Sequence, residues 1–176
     1  MTEIKKDRKS SAEYVKFGYA QVEPNHLSAQ RTGQIYAQLP LADGLAVENG
    51  QFVKYNYAAN KVEVNTNAGG EWMLVYNEVK TYDARETAAD YVMDSASFGN
   101  PVPRVFKTNV GDIMTTNAID ANESAITDES VGKKLSVGAK GFLEIDDDAT
   151  TGMIWQIAKV YTLADGQPAV KIVRIQ

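Results

Sequence analysis

Ile154-Trp155-Gln156-Ile157-Ala158-Lys159-Val160-Tyr161-Thr162-Leu163, then Ala164-Asp165-Gly166-Gln167-Pro168, then Ala169-Val170-Lys171-Ile172-Val173-Arg174-Ile175, is the stretch whose pattern decides the fold. Two runs rich in β-branched and aromatic residues flank an Asp-Gly pair at the heart of a five-residue turn, which is a strong hairpin signal. Period-two alternation predicts Trp155, Ile157, Tyr161 and Leu163 on one face of the first strand. In the second, Val170 and Ile172 share one face, with Val173 and Ile175 on the other.

Working back along the chain, residues 116–150 are acidic and turn-rich, with strands expected around Lys134–Val137 and Phe142–Ile145. Within 41–115, Gln51–Tyr57, a turn at Ala58-Ala59-Asn60 and the alternating Lys61–Asn65 predict a second hairpin. Trp72-Met73-Leu74-Val75-Tyr76 is continuously apolar and too short for a buried helix, so it reads as a buried strand. One brief helix is expected from a cap at Asp83, with Glu86 closing a capping box, to about Asp94. A loop there is nearly as good a reading, because so short a helix has little stability of its own.

Residues 1–40 show neither period, and Gly18, Pro24, Gly33 and Pro40 punctuate them. They read as a long irregular N-terminal arm lying on the body or on a neighbouring subunit. Its apolar anchors Tyr14, Phe17, Tyr19, Val22, Ile35 and Tyr36 are the candidate partner-binding residues. The expected architecture is therefore all-β: a small sandwich or barrel of about eight short antiparallel strands over 41–176, divisible into 41–115 and 116–176, preceded by the arm.

Charge and composition narrow the function. The chain has 176 residues, no cysteine and one histidine. Residues 1–16 carry five basic against three acidic groups, a net +2, so the whole-chain charge of −5 leaves −7 for the remaining 160 residues. An acidic body is repelled by phosphate backbones, which argues against nucleic acid as a partner. A basic arm on an acidic body suits an acidic protein surface, or serves only to keep a terminal tail solvated. The basic start is followed by no apolar run, and no stretch reaches about 18 apolar residues, so neither a signal peptide nor a membrane partner is expected.

Motifs for chemistry are weak. The nearest sequence neighbours of His26, Asn25 and Leu27, offer it no catalytic partner. Asp146-Asp147-Asp148 fails as a calcium loop: from Asp146, Thr151 occupies the glycine position and Ile157 the final glutamate position. Phosphate-binding glycine loops and nucleophile elbows are absent from the sequence. No catalytic, cofactor or metal residue is therefore assigned, and no enzyme is expected. Tyr55, Tyr57, Trp72, Tyr76, Tyr82 and Trp155 could line a carbohydrate groove, although the burial tendency of large aromatics favours the core for Trp72 and Trp155.

Taken together, Glu48-Asn49-Gly50-Gln51-Phe52-Val53, Trp72-Met73-Leu74-Val75-Tyr76-Asn77-Glu78 and the ending Trp155–Tyr161 with Asp165-Gly166-Gln167-Pro168 resemble accessory head proteins of tailed bacteriophages, the capsid decoration and cement proteins. The resemblance covers roughly residues 40–176 and implies a β-structured, self-associating subunit bound to the major capsid protein in the virion, assembled in the host cytoplasm, with no active site. The alternative from the residues is a carbohydrate- or ligand-binding β-module of a phage tail or fibre.

Overall fold

The computed structural model describes residues 10–64, 69–77, 92–98, 100–122 and 125–176. The C-terminal hairpin forms as expected, from β12 (Trp155–Thr162) and β13 (Pro168–Arg174), closed by Leu163 N–H donating to Gln167 O at 2.7 Å. Around it are β1 (Val22–His26), β9 (Ile113–Thr116), β10 (Lys134–Val137) and β11 (Leu143–Ile145). They make a six-stranded sheet ordered β1-β9-β13-β12-β10-β11.

A second sheet holds β2 (Ile35–Tyr36), β4 (Phe52–Asn56), β5 (Lys61–Glu63), β6 (Met73–Val75) and β8 (Val105–Phe106), in the order β2-β8-β6-β4-β5. β3 (Ala46–Val47) and β7 (Met93–Asp94) form a two-stranded ribbon. Every pairing of named strands is antiparallel. The protein is an all-β sandwich.

The central strands of the five-stranded sheet, β4, β6 and β8, are buried on both faces. Phe52, Leu74 and Phe106 point into a core shared with Leu135, Trp155, Ile157, Val170 and Ile172 of the six-stranded sheet. Phe52 and Trp155 lie 6.0 Å apart, ring to ring. The alternate residues Val53, Tyr55, Met73, Val75 and Val105 enter a second cluster with Leu41, Val47 and Val62. Two buried faces explain why the strand at Trp72–Tyr76 reads as continuously apolar. The boundary expected at 115/116 falls inside β9, and the two sheets share this core.

Four expectations change or pass out of view. Residues 10–40 are not a separate arm. β1 pairs with β9, β2 pairs with β8, and a one-turn helix α1 (Ser28–Thr32) joins the two, so this segment supplies an edge strand to each sheet. Extended segments this short carry too few residues to show a period. On β12 a bulge between Ile157 and Lys159 shifts the register. It turns Val160 toward the core and Tyr161 away from the Trp155 face, where the Tyr161 hydroxyl donates to Thr115 Oγ1 at 2.6 Å. Most of the helix expected from Asp83 lies outside the described residues. At its expected end, Met93–Asp94 is a strand and a short helix, α2 (Ser95–Phe98), follows.

Gly141 pins the sheets at one corner. Its φ is +78°, its carbonyl accepts the Phe52 N–H at 2.6 Å, and an added Cβ would strike Phe52 O and approach Val64 Cγ1 at 3.0 Å. Gly152, at φ +81°, has open space around it. Gly152→Ala should therefore cost only the left-handed strain, about 1 kcal/mol, whereas Gly141→Ala adds a backbone clash and should cost about 3 kcal/mol, read by urea unfolding.

Candidate functional site

Among the described residues, two regions concentrate polar and aromatic groups. The first is built on Glu48-Asn49-Gly50-Gln51, a turn whose four residues are all buried. Gly50 sits at φ +89°, and an added Cβ would collide with Ala118 Cβ and come within 3.0 Å of Thr116 Oγ1, so only glycine fits. The Glu48 carboxylate is 4% exposed. Its Oε1 accepts from Ser10 Oγ at 2.9 Å, Ser11 N at 3.2 Å and Ser11 Oγ at 3.3 Å, and its Oε2 accepts from Ala20 N at 2.8 Å. One carboxylate thus clasps both ends of the loop 10–20. Asn49 exchanges two hydrogen bonds with the Asn77 backbone, and Gln51 Nε2 donates to Lys140 O at 2.7 Å.

The loop is held along its length. Lys16 and Phe17 amides donate to Gln167 Oε1 at 3.1 and 3.3 Å, and the Gln21 amide donates to Asn117 Oδ1 at 2.7 Å. Ala12, Val15 and Ala20 pack with Ala118 and Phe142. Tyr14 is 1% exposed and belongs to the main core. Of the six residues expected to bind a partner, Tyr14 is therefore unavailable. Val22, Ile35 and Tyr36 lie in strands, and Phe17 and Tyr19 are half-buried within the loop.

The second region is a cleft of about 150 Å³ lined by Tyr36, Tyr55, Tyr57, Gly70, Glu71, Met73 and Lys107. Tyr36 and Tyr55 meet edge to face at 6.3 Å, and Tyr55 and Tyr57 do so at 5.8 Å. Tyr55 is buried, its hydroxyl accepts the Gln38 N–H at 3.3 Å, and desolvation raises its pKa. Tyr57 follows β4 in the turn and is 72% exposed. Lys107 Nζ lies 2.9 Å from Glu71 Oε2, and that hydrogen bond raises the lysine pKa. A neighbouring cleft of about 300 Å³ shares Tyr55, Tyr57 and Gly70 and adds Asn56 and Gly69.

Of the aromatics considered for a carbohydrate groove, Tyr55 and Tyr57 line this cleft, joined by Tyr36. Trp155 is in the core, Trp72 lies beneath Lys54 Nζ at 4.6 Å, and Tyr76 packs on Phe106. Tyr82 lies outside the described residues. Glu71 and Lys107 carry no sequence signal as site residues: they meet because β6 pairs with β8, Leu74 opposite Phe106.

Elsewhere, His26 is exposed at the end of β1. Asp146 Oδ2 accepts from Ser136 Oγ at 2.8 Å and Asp147 Oδ1 from Lys134 N at 3.0 Å, so two members of the acidic run brace a turn. Among the described residues no group of three or more His, Asp or Glu is placed to hold a metal ion, and no helix is long and apolar enough to cross a membrane. Comparison with protein-family models, curated proteins and solved structures gave no match.

Glu48→Ala should lower stability by about 3 kcal/mol in urea unfolding, because it orphans donors that the carboxylate now holds. Glu48→Gln should recover part of the loss, since one amide oxygen still accepts. Asp165 braces the same loop, accepting from Gln21 Nε2 at 2.6 Å and Gln167 Nε2 at 2.8 Å. Desolvation raises its pKa, but hydrogen bonds from Gln167 and Gln21 outweigh it and hold the value below the ordinary 3.8. Its stabilisation is thus complete above that value and fades as pH falls through the lower folded-state value. The stability gap between wild type and Asp165→Asn should shrink over that acid range.

Proposed function

We propose that this protein is an accessory component of a bacteriophage head, binding and stabilising the capsid shell without catalysis. One observation carries the reading: Glu48 anchors Ser10 to the rigid body, so the cations Lys5, Lys6, Arg8 and Lys9 precede a fixed point on a body of opposite charge. Residues 1–9 hold four basic and two acidic groups, net +2, leaving −7 for residues 10–176. A short basic leader fixed at one end loses less conformational entropy on docking than a forty-residue arm would. It suits an acidic patch on the major capsid protein. Self-association of the β-body and the many copies on a shell would turn individually weak contacts into firm attachment. The resemblance to decoration and cement proteins supports the same role, with the virion as its location and neither nucleic acid nor membrane as partner.

A second reading, a sugar- or ligand-binding β-module of a tail or fibre, is favoured by the tyrosine cleft.

Deleting residues 1–9 should leave residues 10–176 folded, read by circular dichroism, while attachment to purified particles, measured by co-sedimentation, is lost. Wild-type attachment should weaken with rising salt. Full occupancy by the shortened protein would refute the role given to the leader. Deleting residues 1–21 should instead unfold the body, because it removes Tyr14 from the core and empties Glu48 of its donors.

A further inference from the structure

We propose that the cleft beside Tyr57 is a binding site for a neutral saccharide. Three features point to this ligand class. Tyr57 offers an open aromatic ring at 72% exposure, held edge to face against the buried Tyr55, so the platform is preset. Sugar rings have an apolar C–H face that stacks on such a platform. At the cleft wall, Glu71 supplies carboxylate acceptors and Lys107 an ammonium donor, 2.9 Å apart, a spacing that serves adjacent hydroxyls of one ring.

Charge then selects among ligands. Glu71 and Lys107 neutralise each other. Arg174, with NH1 3.9 Å from Glu71 Oε1, also feels the opposing charge of Asp112. The charged residues lining the cleft are one acid, Glu71, and one base, Lys107, which leave no net charge to attract an anion or a cation, so an uncharged polyhydroxylated ligand fits best.

Size agrees with a chain of sugars. Drug-sized ligands occupy pockets of roughly 300–1,000 Å³. The cleft of about 150 Å³ suits a single ring. The adjoining space of about 300 Å³, with Asn56 on its wall and Tyr57 common to both, takes the next unit. The ligand is therefore an oligosaccharide crossing Tyr57. This assignment concerns the isolated protein and stands or falls separately from attachment to a shell.

The test is calorimetric titration of the full chain with maltohexaose, cellohexaose and chitohexaose. At least one should bind with a dissociation constant of roughly 1 mM or tighter. Tyr57→Ala should weaken that binding by about fivefold or more without moving the melting temperature, because the ring is exposed. Glu71→Gln, which breaks the pair with Lys107, should weaken it as well. No binding of any of the three sugars, or binding indifferent to both substitutions, would overturn the assignment. So would shell attachment lost in Tyr57→Ala with no saccharide bound, which would make the cleft a protein-docking surface.

Discussion

Burial of β4, β6 and β8 on both faces is the constraint from which the rest of the architecture follows. A sheet with one wet face needs a single covering layer. Phe52, Leu74 and Phe106 on one side and Val53, Met73, Val75 and Val105 on the other demand two. The six-stranded sheet supplies the first cover. Leu41, Val47 and the half-buried Leu39, Leu45 and Met93 supply the second. Chain before residue 50 is thus needed on both sides of the central sheet, which is why Ser10 to Pro40 folds with the body.

Bringing that much irregular backbone against a core leaves many amide groups to satisfy, since buried donors without partners are costly. The turn at Glu48–Gln51 answers this with side chains in place of a regular ladder. Glu48 takes donors from both ends of the N-terminal loop, Asn49 pairs with the Asn77 backbone, and Gln51 reaches Lys140 O. Fixing the loop also fixes Ser10, the residue that follows the cations Lys5, Lys6, Arg8 and Lys9 in the chain. The packing requirement and the proposed docking geometry therefore share one carboxylate.

Legibility followed the range of the interactions. Lys134–Val137 and the C-terminal hairpin announce themselves, because alternation and an Asp-Gly turn are local features. β1 and β2 do not: they are short edge strands whose conformation is imposed by β9 and β8. The bulge after Ile157 defeats strict alternation, which predicts the wrong face for Tyr161. At the candidate sites, Tyr55 and Tyr57 are visible as neighbouring aromatics. Glu71 and Lys107, by contrast, are 36 positions apart in the chain and come together only through the β6–β8 pairing. Glu48-Asn49-Gly50-Gln51 stands out as a motif, but its burial depends on partners as distant as Ser10 and Lys140.

The central claim is that the segment from Ser10 to Gln21 is part of the folded body and not an arm laid over it. Native-state hydrogen exchange tests this most directly. The amides of Tyr14, bonded to Ile119 O, and of Ala20, bonded to Glu48, should open with the same free energy as those of Phe52 and Val75 in the central sheet. Exchange of Tyr14 and Ala20 at rates near those of an unfolded peptide, with Phe52 and Val75 still protected, would contradict it.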